Sequence, residues 1–117
     1  MVKIEFEQRT LQFSRRIVAL VNDMGENRTG ACIRNQMLRS GTSIGANYRE
    51  AQRAESRQDF LHKIQIAAKE ASETLYWLEL VNGTTELQSK DSADLQREAS
   101  ELLAILTTIG RKIKQTL

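Results

Sequence analysis

The sequence predicts an all-α fold, an antiparallel up-down-up-down four-helix bundle built as one domain over residues 1–117. Three observations predict it. The chain has no proline in 117 residues, and helix interiors reject proline because it lacks an N–H and clashes with the preceding turn. Alanine, leucine, glutamate, lysine, arginine and glutamine are plentiful, and all are good helix formers. Apolar residues recur at helical spacing in four separate stretches and never alternate as in strands.

The first helix is expected over about 3–23. Phe6, Phe13, Ile17, Leu20, Val21 and Met24 make one apolar stripe. Gly25 to Gly30 reads as a loop, because two glycines and an asparagine interrupt the period. The second helix is expected over about 31–53, with Ile33, Met37, Ile44, Tyr48 and Ala51 in phase. Its centre, Ser40 to Asn47, is made of poor helix formers. The period runs straight through it, which favours an intact helix; the alternative is a loop that splits it. Gly41 and Gly45 share a face where another backbone can approach closely.

The third helix is expected over about 56–82. Ser56 is its candidate N-cap, and Asp59 suits the positive helix start. Phe60, Ile64, Ala67, Ala71, Leu75 and Leu78 form its core stripe, and Gly83 reads as the residue just past its end. The fourth helix is expected over about 90–114, capped by Ser89 or Asp91. Leu95, Ala99, Leu102, Leu103, Leu106, Ile109 and Ile113 make its apolar face, and Arg111, Lys112 and Lys114 suit its negative end. Short loops imply antiparallel neighbours.

Net charge is +2, unevenly spread: residues 1–57 carry +4 and residues 58–110 carry −5. That asymmetry fits either a basic surface for a polyanion or opposite faces that attract between copies. Cys32 is the single cysteine, so no internal disulfide forms. The start, Met1 to Glu5, is charged where a signal peptide would be apolar. No apolar run reaches the roughly 20 residues needed to cross a bilayer. A cytoplasmic protein without membrane contact is expected.

The sequence argues against an enzyme. His62 is the one histidine, with no second His or Cys to complete a zinc site. Cys32 has no basic partner to activate it. The Gly41 to Gly45 run lacks the lysine of a phosphate-binding loop, and no Glu-x-x-His pair exists to hold two metals in a bundle. No catalytic residue, cofactor or metal is expected.

Two constellations remain. Arg39, Ser40, Ser43, Asn47, Arg49 and Glu50 form a polar stripe with flanking arginines on the second helix. Half-buried polar groups need partners, so a hydrogen-bonded network to a neighbouring element is expected; the alternative is a solvated face. On the third helix Asp59, Lys63, Ile66, Glu70, Glu73 and Trp77 alternate four and three apart, a second face beside the core stripe. Carrying the only tryptophan, it reads as an oligomer interface; the alternative is that Trp77 covers the bundle edge. Arg28, Arg34, Arg53 and Arg57 are candidate nucleic-acid contacts.

These residues resemble a known family. Gln36-Met37-Leu38-Arg39-Ser40-Gly41-Thr42-Ser43-Ile44-Gly45-Ala46-Asn47-Tyr48-Arg49-Glu50-Ala51 is similar to its "Q-x-x-R-S-x-x-S-I-x-A-N-x-x-E-A/G" signature. Ser56-Arg57-Gln58-Asp59-Phe60 resembles "S-x-x-D-F", and Lys69-Glu70-Ala71-Ser72-Glu73-Thr74-Leu75-Tyr76-Trp77-Leu78 resembles "K-E-A-x-E-x-x-Y-W-L". The family is the bacterial four-helix-bundle proteins named after intervening sequences of 23S ribosomal RNA. It is distantly similar to the accessory variability proteins of diversity-generating retroelements, which are basic pentamers that bind reverse transcriptase and nucleic acid. The resemblance implies a homopentameric ring. Met24-Gly25 departs from the Leu-Pro that relatives often carry at the first loop. The chain is also less basic than the retroelement proteins. The expected function is a non-catalytic, self-assembling scaffold or binding module for a protein or RNA partner. The alternative is an RNA-binding protein tied to rRNA intervening sequences, or a retroelement-type accessory nucleic-acid-binding protein.

Overall fold

The computed structural model describes residues 3–25 and 28–117. Met1 and Val2 of the expected charged start, and Glu26 and Asn27 of the first loop, lie outside the described residues. Four helices follow in order: α1 (Lys3–Asp23), α2 (Arg28–Ala51), α3 (Arg57–Asn82) and α4 (Lys90–Lys114). No strand occurs among the described residues.

Each helix packs on the next and α4 returns to α1, so α1 faces α3 and α2 faces α4 only across the diagonal. The molecule measures 46 × 22 × 19 Å, the shape of four helices side by side. Contacts fix the directions. Arg49 meets Glu7, and Gly41 lies against Ile17, so α1 and α2 run oppositely. Asn82 meets Ser92, and Gly110 lies near Ile64, so α3 and α4 do too. The core runs the full length between them, from Phe6, Tyr48 and Ala51 at one end to Leu20, Val81 and Leu87 at the other. Phe6 and Tyr48 meet edge to face with ring centroids 4.7 Å apart.

The centre of α2 is unbroken helix. Its glycines explain why poor helix formers are tolerated. A Cβ on Gly41 would lie 3.0 Å from two carbons of Ile17, and one on Gly45 would lie 3.1 to 3.3 Å from three atoms of Thr10. The missing side chains let α1 settle against α2, and the packing offsets the propensity cost of about 1 kcal/mol per glycine.

Several boundaries and core positions differ from the sequence expectation. α2 begins at Arg28 and ends at Ala51, short of Arg53, where Gln52 and Arg53 wind off in a turn. On α3 the buried positions are Leu61, Ile64, Ala67, Ala71, Thr74, Leu78 and Val81. Phe60 and Leu75, assigned to the core stripe, pack only partly against it. α3 is flanked by both α2 and α4, so its buried arc is broader than one stripe. Gly83 caps α3 with φ −88° and no left-handed backbone. The glycine that uses left-handed backbone is Gly25, at φ 74° after α1. Ser56 caps α3 by accepting the Asp59 N–H, and Ser89 caps α4 in a reciprocal capping box with Ser92.

Candidate functional site

The polar residues of α2 do not form one network. Ser40 is fully buried, and its hydroxyl meets that of Thr74 on α3 at 2.9 Å. The Thr74 hydroxyl also reaches the Glu70 carbonyl at 2.7 Å. Ser43 donates to the Arg39 carbonyl at 2.6 Å, and Asn47 donates to the Ser43 carbonyl at 2.8 Å. These last two therefore satisfy themselves on their own helix. Arg49 turns the other way, to Glu7 on α1 at 3.3 Å. Glu50 is exposed and has no ion-pair partner among the described residues.

Arg39 joins the two constellations. Its guanidinium donates to Glu70 at 2.8 Å and to Glu73, and the Trp77 indole N–H donates to the same Glu73 carboxylate at 3.0 Å. Donation by Trp77, then by Arg39, holds the Glu73 carboxyl below its ordinary range. The Arg39 guanidinium is held more strongly protonated by Glu73 and then Glu70. Glu70 and Glu73, read from the sequence as groups for a neighbouring copy, thus already meet an arginine of their own chain. Trp77 packs partly against the core. Asp59, Lys63 and Ile66 lie along the same half-exposed seam of α3, where Asp59 accepts the Glu55 N–H at 3.2 Å.

Next to this seam is a surface that the sequence reading missed. Tyr76 is 58% exposed and Leu80 38% exposed, one turn apart on the outer side of α3. The Tyr76 ring meets Trp77 edge to face at 5.1 Å. The signal was available: Tyr76 and Leu80 are four apart and off the core stripe. Trp77 drew the reading to the adjacent face instead.

On the opposite side of α2, a groove of about 560 Å³ separates it from α1. Leu11, Ser14, Thr42, Gly45 and Ala46 line one part; Glu7, Arg49, Glu50 and Arg53 gather at the other.

The four candidate nucleic-acid arginines are not one patch. Arg28 and Arg34 sit at the start of α2, where Arg34 donates to the Gly25 carbonyl. Arg53 and Arg57 sit beyond its far end, about 36 Å from Arg28 at 1.5 Å per residue. Arg57 there donates to the Thr116 hydroxyl. Neighbours in sequence are thus split between the two ends of the molecule.

Among the described residues, no group of three or more His, Cys, Asp or Glu gathers to hold a metal ion. No helix among them is long and apolar enough to cross a membrane. Comparison with known proteins places residues 3–108 within the 23S rRNA-intervening sequence protein family. A solved structure is similar over 89% of this chain and 96% of that one, with 42% identity and a TM-score of 0.77. It is a protein of unknown function from the S23 ribosomal protein family of Bacteroides thetaiotaomicron VPI-5482. No curated protein matches.

Proposed function

The chain belongs to the 23S rRNA-intervening sequence protein family, and from its surface we propose that it is a cytoplasmic, non-catalytic bundle that assembles with copies of itself, as a homopentameric ring, to act as a scaffold or binding module. The supporting observation is the exposed pair Tyr76 and Leu80 beside the half-covered Trp77. Aromatic anchors flanked by charge are enriched in the centres of interfaces. The Trp77 indole N–H donates to Glu73, itself clamped by Arg39, which restrains the indole before a partner arrives. Less side-chain freedom then remains to be lost on binding.

Light scattering on a sizing column tests this at micromolar concentration. A mass near five times the 13.3 kDa chain is expected, and a monomer mass overturns the reading. Trp77→Ala should weaken assembly by about 2 kcal/mol while leaving helix content unchanged by circular dichroism.

The name of the family supports RNA as a partner, the second reading. The dispersal of Arg28, Arg34, Arg53 and Arg57 bears on its strength. Two small groups of arginines contact few phosphates each, so binding should be weak, indifferent to sequence and steeply lost as salt rises. Fluorescence anisotropy with unrelated RNA oligomers at low and physiological salt measures it. Tight, salt-resistant or sequence-selective binding would make RNA recognition the primary function.

A further inference from the structure

We propose that the Tyr76–Leu80 ridge of one copy seats in the α1–α2 groove of the next, so that the chain assembles head to tail through two different surfaces. This rests on the self-assembly reading and adds to it which surfaces meet.

Shape is the first argument. The ridge is convex and apolar, with Tyr76 and Leu80 standing clear of the bundle. The groove is concave, and its α2 wall is low where the exposed Ala46 carries only a methyl group. The two surfaces differ in shape, one convex and one concave, so each complements the other better than itself. A contact between unlike surfaces is heterologous, and when its rotation closes it makes a ring.

Charge supplies the register. Lys69 precedes Tyr76 by seven residues on α3, about 10 Å along the axis. In the groove, the exposed Glu50 follows Ala46 by one turn and Thr42 by two, about 6 and 12 Å. Setting Lys69 of one copy against Glu50 of another therefore places Tyr76 over the Ala46–Thr42 stretch. α3 of one copy then runs antiparallel to α2 of the next, as α3 and α2 do within the chain. Glu50 has no ion-pair partner in its own chain among the described residues, unlike Glu70 and Glu73.

The decisive experiment mixes two crippled proteins. Tyr76→Arg with Leu80→Asp spoils the ridge and leaves the groove intact; Ala46→Arg spoils the groove and leaves the ridge intact. Circular dichroism first confirms that both keep their helix content. Each alone should run as a monomer by light scattering. Mixed in equal amounts they share one sound pair of surfaces, so a one-to-one dimer and nothing larger is expected. Glu50→Lys alone should weaken assembly of the otherwise unaltered chain at least tenfold, and adding Lys69→Glu should restore it. If the unaltered chain is oligomeric but the crippled variants stay oligomeric, or the monomeric variants fail to pair, the surface assignment is overturned and self-assembly stands. A monomeric unaltered chain overturns both.

Discussion

Gly41→Ala with Gly45→Ala should destabilise the fold by about 2–4 kcal/mol, although alanine is the better helix former at both positions. At Gly41 the new Cβ meets Cγ1 and Cγ2 of Ile17 at 3.0 Å. Ile17 is β-branched, fully buried and stiff about its first torsion, so it cannot swing away. At Gly45 one of the close atoms is the Thr10 backbone carbon, at 3.3 Å, and relief requires moving α1 itself. Overpacking against such neighbours costs about 2–3 kcal/mol per site, of which helix propensity returns about 1 kcal/mol. Gly110 is the internal control. A Cβ there lies 3.7 Å from Ile64 and 3.9 Å from Leu61, ordinary contact distances beside an open groove. Gly110→Ala should therefore stabilise by about 1 kcal/mol. Guanidinium unfolding followed by circular dichroism, at one fixed protomer concentration because assembly is linked to folding, gives both signs. Destabilisation of similar size at all three glycines would show that α1 does not depend on close approach to α2.

The contrast between these glycines also shows what the sequence carried. Helical period located all four helices, since a stripe such as Phe6, Phe13, Ile17 and Leu20 survives whatever packs against it. The spacing of Gly41 and Gly45 announced a close approach, but only the fold names α1 as the neighbour. Depth of burial for small polar residues was not legible. Ser40, Thr74 and Ser92 are buried, yet Ser14, Ser43 and Ser72 are not, and nothing in residue type separates them. Their hydrogen-bond partners sit on other helices, and helix register is set by the whole core. The arginines are spread for a geometric reason: Arg28 precedes the helix expected over about 31–53 and Arg53 ends it, and a helix of that length sets them at opposite ends of the molecule. Exposure of Tyr76 was not legible beside Trp77, which marks the adjacent face of α3, and only the occupied core shows which aromatic residue is left outside.

Asn82→Leu should cost about 2–4 kcal/mol, a large effect for a half-buried residue at a helix end. Its amide nitrogen donates to the Ser92 carbonyl at 3.0 Å and to the Gln96 side chain at 2.6 Å, while its oxygen meets the Ser92 hydroxyl at 2.5 Å. Ser92 is fully buried and accepts the Ser89 N–H at 2.8 Å as half of the α4 capping box. Asn82 thus ties the last turn of α3 to the first turn of α4 across a seven-residue connection. A leucine fills similar space but returns none of these bonds. The Ser92 carbonyl loses its inter-helix donor and its hydroxyl loses one partner, and a buried unpaired group costs about 1–3 kcal/mol. Ser92→Ala should itself cost about 1–2 kcal/mol, through the lost cap and the lost Asn82 contact. A double-mutant cycle separates a network from two independent effects. In a network the double variant costs less than the two single variants added together, by at least about 0.5 kcal/mol, because each single change already strands the other's partner. Strict additivity would mean that the close contacts at this turn do not cooperate, and that the α3–α4 connection is held by Leu87, buried beneath it, with the polar groups merely accommodated.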